Sequence, residues 1–233
     1  MPRSSFDVPS YRRVARVYDL LASGYSLGAI DRSKRVHHDL IVPGDRVLYV
    51  GAGRGKEIAG ACERGAEVTC VEPCPSMALR LHDRLAEHGE RFTIVPRPIQ
   101  AIPVSEEYDL VVAHYFLNVF DRHTMPGILD RVCGFVRPGG RLVIADFMPS
   151  RRGEGAIGRA IRSAYYRPVN LAGRLLCIGA LHAIYDYGPR LSERGYRIES
   201  RRSFAVLPGL IGYETITAMR PGEAHRARSP VCG

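Results

Sequence analysis

No stretch of this sequence approaches the roughly 20 consecutive apolar residues that a membrane-spanning helix needs. The N-terminal MPRSSFDVPSYRR has no apolar core of the kind a secretory leader carries. A cytoplasmic protein is therefore expected. Lysine is nearly missing: Lys34 and Lys56 are the only two, so the formal charge of +9 is almost wholly arginine. The arginines are dispersed, with doublets at Arg12-Arg13, Arg151-Arg152 and Arg201-Arg202 and no longer tract, which weighs against a nucleic-acid groove. The cysteines, Cys62, Cys70, Cys74, Cys133, Cys177 and Cys232, include no C-x-x-C pair, and no histidine cluster stands near them at metal-ligand spacing. Free thiols and no metal are expected. Internal repeats, low-complexity tracts and linkers are lacking too.

What is present is ordinary for a globular chain: 45% hydrophobic and 24% charged residues in a length of 233, enough for one domain with a large core. The first forty residues read as helical and stop at Pro43-Gly44. DRVLYVGAG then reads as a buried strand running into glycines, and KEIAGACERG as a helix closed by Gly65. AEVTCVEP is a strand stopped by Pro73 and Pro75, and SMALRLHDRLAEHGE an amphipathic helix with Ser76 as its N-cap. RFTIVP, YDLVVAHYFLNVF and RLVIADF supply three more strands. MPGILDRVCGFVRPGG reads as a helix ended by Pro138-Gly139-Gly140. Helical pieces AIGRAIRSAYY and LAGRLLCIGALHAIY follow, then a helix PRLSERG and two strands, YRIESRRSF and GYETITAMR. Strand–helix alternation of this kind predicts an α/β, doubly wound Rossmann-like sheet, mostly parallel, with helices on both faces. One domain over residues 1–221 with a flexible tail at 222–233 is the expected organisation.

The chemistry is carried by Val47-Leu48-Tyr49-Val50-Gly51-Ala52-Gly53-Arg54-Gly55. Alternate glycines between a strand and a helix let the backbone turn sharply and approach a ligand closely. Glu72, seventeen residues after Gly55 and at the end of the next strand, is placed to accept hydrogen bonds from ribose hydroxyls. The spacing is G-x-G-x-G. The G-x-G-x-x-G of a dinucleotide site would need a glycine where Lys56 stands.

With these segments in order, the chain resembles the class I S-adenosylmethionine (SAM)-dependent methyltransferases, of the UbiE/ubiquinone-biosynthesis type, over roughly residues 10 to 147. VLYVGAGRG resembles the family's first motif, VTCVEP its ribose-binding acidic loop, YDLVVAHYFLNVF its fourth-strand motif and VRPGGRLVIADF its fifth. The two C-terminal strands resemble its final antiparallel hairpin, and Tyr18-Asp19 its N-terminal Tyr-Asp pair. The resemblance implies S-adenosyl-L-methionine as cofactor. It implies contacts from Tyr18, Tyr49, Gly51, Ala52, Gly53, Gly55, Glu72, Pro73, Ile99, Gln100, His114 and Tyr115. Two positions depart from the pattern. Tyr49 stands where the family usually places an acid, and Pro98-Ile99-Gln100 stands where an acid often meets adenine. A related enzyme that uses SAM differently is the alternative these departures raise.

The acceptor must meet the methyl group at the C-terminal ends of the strands. His114, Asp146 and His182 are the candidate catalytic groups, His182 because an imidazole titrates near neutrality. Asn118 is placed to hydrogen-bond cofactor or substrate, or to cap a helix. Residues 1–42 are expected to form a helical lid carrying Tyr25, and residues 148–187 an acceptor-side insertion carrying Tyr165, Tyr166, Tyr185 and Tyr187. Apolar walls with a few polar groups suit an aromatic or lipophilic small molecule. His37 and His38 precede the first strand, are expected on the opposite side of the sheet from the site, and are given no role. Neither an aromatic-Pro catalytic tetrapeptide nor a Pro-Cys pair is present, which argues further against a nucleic-acid substrate. A homo-oligomer is compatible with all of this.

Overall fold

The computed structural model describes residues 26–53, 55–150, 154–175, 184–208 and 211–222. Its centre is a seven-stranded sheet of β1 (Arg46–Val50), β2 (Glu67–Val71), β3 (Phe92–Val95), β4 (Tyr108–His114), β5 (Val136–Phe147), β6 (Arg197–Leu207) and β7 (Ile211–Met219). The order is β3-β2-β1-β4-β5-β7-β6, and β7 alone runs opposite to the other six strands. β1 and β4 carry unbroken apolar runs because both faces of a parallel sheet are covered. On one face Val47, Tyr49, Leu110, Val112 and Val143 pack with Ile58, Ala61, Leu81 and Leu85, which belong to helices α2 (Ala59–Glu63) and α3 (Pro75–Leu85) and the turn before α2. On the other, Leu48, Val50, Val111, Leu142 and Ile144 meet α4 (Met125–Gly134) and α6 (Tyr187–Glu193).

The first described helix, α1 (Ala29–Arg35), lies across β6 and β7 and continues into a 3₁₀ turn at Val36–Leu40. Its attachment is specific, since the Thr215 hydroxyl of β7 donates to the Ser33 carbonyl (2.8 Å). The helix α5 (Ala156–Leu175) runs through the first helical piece expected after β5 and into the second, whose residues 176–183 lie outside the described residues.

Two local expectations are corrected. Ser76 is not an N-cap: Pro75 opens α3 and Cys74 is the cap residue, so Ser76 lies two positions too far along to cap it. Pro138-Gly139-Gly140 does not end a helix either. α4 stops at Gly134, and β5 passes through the Pro-Gly-Gly as a bulge, its register with β4 slipping between Val136 and Arg141.

The strand order reverses between β1 and β4, so the crevice where open α/β sheets bind ligands lies at the C-terminal ends of these two strands. Gly55 shapes the approach to it. Its φ is +57°, and a Cβ there would lie 2.2 Å from Cδ1 of Leu81, a core side chain with no room to withdraw. At Gly53 a Cβ would meet nothing nearer than 3.9 Å. Gly55→Ala is therefore expected to cost about 1–3 kcal/mol from overpacking, on top of the left-handed backbone penalty. Gly53→Ala should bear the backbone penalty alone. Urea denaturation of the two variants side by side checks the difference; equal losses would contradict the packing account.

Candidate functional site

The loop after β1 is fixed from two sides. The N–H groups of Gly51 and Ala52 both donate to the Val71 carbonyl (2.9 and 3.1 Å), and Gly51, at φ +66°, leaves no space for a side chain beneath the Phe116 ring. Across the crevice Glu72 is 7% exposed and held by backbone: Oε2 accepts from Gly53 N–H (2.7 Å) and Oε1 from Cys74 N–H (2.9 Å). A carboxylate has about four lone-pair sites. The two bonds fix its orientation and leave acceptor capacity for the hydroxyls of a ribose. Pro73 beside it is exposed, and Ala52 is buried. Past β3, Ile99 is buried with its carbonyl taken by the Arg131 Nε–H (2.7 Å), and the same guanidinium donates to the Ile102 carbonyl. Arg131 thus braces the turn from α4, while Gln100 is exposed at its surface.

At the end of β4 the chain turns at Tyr115, whose φ of +51° is unusual for a side-chain-bearing residue. Its hydroxyl is paired with Ser33 Oγ of α1 (2.8 Å), and Lys34 Nζ sits 5.7 Å from its ring centroid. His114 turns the other way, into a buried polar cluster. Its Nδ1 is 3.3 Å from Glu57 Oε1, and Lys34 Nζ is 3.3 Å from the same oxygen. Burial pushes the Glu57 carboxyl upward, but Lys34 and then the His114 hydrogen bond outweigh it and leave the group below the usual carboxylate range. Burial holds His114 below the ordinary imidazole value despite Glu57. With Glu57 ionised, Nδ1 carries the imidazole proton and Nε2 is a bare acceptor. It is buried and has no hydrogen-bond partner among the described residues.

His37 joins this cluster, which corrects the expectation that it lies away from the site. The 3₁₀ turn after α1 carries it to the ends of β1 and β4. There its Nε2 pairs with the Tyr49 hydroxyl (2.6 Å) and its ring lies 5.0 Å from that of His114. Burial, then the neighbouring His114 and His38, keep its pKa well below the ordinary imidazole value. Tyr49 is 2% exposed and points into the layer between sheet and helices. His38 reaches the Glu57 carbonyl through Nε2 (2.7 Å).

Asp146 sits at the end of β5 on the opposite face. His114 is in register with Ala145, so the next residue points away from it. The carboxylate accepts from Asn118 Nδ2 (2.7 Å), the Tyr187 hydroxyl (2.6 Å) and its own following amide, Phe147 N–H (2.8 Å). Burial nonetheless pushes it up to about 7. His114 and Asp146 therefore flank the strand ends without meeting. Of the acceptor-side tyrosines, Tyr166 donates to the Gly212 carbonyl (3.2 Å) and Tyr185 to the Phe120 carbonyl (2.8 Å), both being buried, while Tyr165 is half-buried against Tyr166. Tyr18, Tyr25 and His182 lie outside the described residues. Glu57, Lys34, His37 and Arg131 are the site residues that sequence reasoning missed. Glu57 alone left a signal, as an acid between the glycine loop and the short helix that follows it.

A separate depression of about 1250 Å³, lined by Arg46, Glu67, Arg91 and Thr93 among others, lies at the N-terminal ends of the strands and touches none of these groups.

Residues 47–140 match the family model described as a methyltransferase domain. Over 214 residues the chain is 29% identical to a demethylmenaquinone methyltransferase of Thermus thermophilus, covering 89% of this chain and 94% of that protein. Among solved structures it is similar to the 1,6-didemethyltoxoflavin-N1-methyltransferase of Burkholderia thailandensis, crystallised with 1,6-didemethyltoxoflavin and S-adenosylhomocysteine. The TM-score is 0.64 at 20% identity, over 94% of this chain and 93% of that one. It is also similar to the [4+2]-cyclase SpnF, with a TM-score of 0.62 at 13% identity over 82% and 81% of the two chains. The shared fold by itself does not choose the reaction.

The Asp146 geometry carries a pH dependence. Its folded pKa lies above that of a free Asp, about 3.9, so the folded state holds the proton more tightly than the unfolded one. Stability from this group is complete below about pH 4 and is lost as the pH rises through about 7. Asp146→Asn cannot ionise. In urea titrations it should lose less stability than the parent protein between about pH 5 and about pH 8; parallel losses would show that Asp146 ionises normally.

Proposed function

We propose that this chain, a class I SAM-dependent methyltransferase acting on a small molecule, meets its acceptor at the β4 and β5 ends, and that the acceptor is aromatic or lipophilic. The observation that carries the cofactor assignment is the Glu72 carboxylate, buried, locked to Gly53 and Cys74, and presented at the strand-order switch. A nucleoside fits this donor and acceptor set. Glu72 would hold the ribose, the Gly51–Gly55 loop would line the adjacent chain of the cofactor, and Ile99 and Gln100 would border adenine. His114 and Tyr115 would stand nearest the reacting end. When bound, SAM supplies an electrophilic methyl group.

What the protein adds is placement. Well-oriented intramolecular reactions show that placement can supply about 7–11 kcal/mol of a barrier. Tyr115, Phe147, Tyr166 and Tyr213 pack edge-on in a largely buried cluster beside the β4 and β5 ends, an aromatic neighbourhood that supports a flat or greasy acceptor. The Thermus relative, named for demethylmenaquinone, supports that class. Asp146 is enclosed by its three donors and works through them, setting Asn118 and Tyr187, so we treat it as a positioning residue. His114 is neutral, with one open acceptor nitrogen. The cytoplasm is the compartment we assign, supported by Cys62, Cys70, Cys74 and Cys133 being free thiols.

Calorimetric titration with SAM and S-adenosylhomocysteine should show binding to the parent protein. Binding to Glu72→Ala should be about ten- to a hundredfold weaker, as the loss of a charge-assisted hydrogen bond implies. Glu72→Gln, which keeps one brace to the loop, should fall between them. Absence of binding to the parent protein would overturn the cofactor assignment. Transfer of label from methyl-labelled SAM to hydroxylated aromatic compounds, but not to RNA or DNA, would support the acceptor class.

A further inference from the structure

The carboxylate of Glu57 lies buried against Lys34 and His114. Ionic groups taken out of water cost several kcal/mol each before any pairing. Yet Glu57 is 9% exposed as a residue, two positions beyond Gly55, and is kept ionised by Lys34 and His114. The pair is open at one end only: the Lys34 side chain is 30% exposed and that of Glu57 8%. Beside them His114 Nε2, an acceptor, has no partner among the described residues. The place is the end of β4, where Tyr115 turns under Lys34. What this corner lacks is a hydrogen-bond donor for the His114 Nε2, and beside that nitrogen it presents an anion and a cation.

Position 49 sharpens the point. A tyrosine stands there, its hydroxyl spent on His37, so β1 offers no carboxylate to the loop above it. Glu57 lies close enough to Tyr49 to add to the upward push that burial exerts on its hydroxyl.

We propose that Lys34 and Glu57 together recognise the amino-acid end of the cofactor, Glu57 and the His114 Nε2 receiving its ammonium group and Lys34 its carboxylate. The inference rests on the SAM reading above. Cation and anion lie 3.3 Å apart in the protein, a spacing that suits a ligand whose own opposite charges sit on adjacent carbons. A zwitterion can thus be bound with each charge opposed by its complement, and neither protein charge is left without a counter-ion.

The test compares two ligands by calorimetry on the full chain: S-adenosylhomocysteine, which has the amino-acid end, and 5′-methylthioadenosine, which lacks it. Lys34→Met keeps the apolar stem and Glu57→Gln keeps the shape; circular dichroism melts report whether each variant is folded. The expected result is that each variant weakens S-adenosylhomocysteine by about tenfold or more, the scale of one charge-assisted bond, while methylthioadenosine changes less than about twofold on the same scale. Equal weakening of both ligands would make the pair a purely structural tie between α1 and the loop, and unchanged S-adenosylhomocysteine affinity would dismiss it altogether; either result overturns the proposal. If the parent protein binds neither ligand, the SAM reading fails first. If it binds both and the variants do not discriminate, only this inference fails.

Discussion

A carboxylate at the end of β2 holds the loop at the end of β1. Glu72 reaches across the switch point to the Gly53 amide, and Cys74 anchors its other oxygen. Without that tie the glycine loop would have freedom its three left-handed residues invite. With it, the loop is set before a ligand arrives, and α2 and α3 are set with it, because Gly55 packs directly on Leu81. Binding then needs little ordering of the backbone, and less of the interaction energy is consumed in arranging the protein.

Two polar clusters flank this frame on opposite faces of the sheet. One gathers Lys34, Glu57, His114, His37 and Tyr49, and keeps its carboxylate ionised by surrounding it with cationic and hydrogen-bonding neighbours. The other surrounds Asp146 with three neutral donors, and there desolvation prevails and the carboxyl titrates near neutrality. The contrast shows what decides the state of a buried acid: a full positive charge within reach outweighs burial, and neutral dipoles alone do not.

The sheet was legible in the sequence because apolar runs, turn residues and alternate glycines are local signals. The glycine loop and Glu72 were legible for the same reason, each lying on one side of a single βαβ unit. His37 was not: its contacts to Tyr49 and His114 depend on a 3₁₀ turn after α1, and no periodicity reports where a short turn aims a ring. Lys34 and Glu57 are separated by the whole of β1 and its loop, and their meeting is a fact of helix placement. Ser76 misled because a serine before an apolar run is a capping signal only when it precedes the first helical residue, and here that place is Cys74's, with Pro75 already opening the helix. The Pro-Gly-Gly misled because the same residues that end helices also make bulges.

The position of β7 has a consequence for how the molecule comes to exist. β7 lies between β5 and β6, although β6 is made before it, and its Thr215 fastens α1 at Ser33, near the start of the described chain. During synthesis, β6 has no neighbour to pair with until the strand after it has left the ribosome. α1, and with it Lys34 and the partner of Tyr115, has no seat until that same moment. Loop closure over such a span is slow compared with local pairing. A nascent chain can thus hold its glycine loop early, yet the corner around Lys34 and Tyr115 is completed only after β7 has emerged.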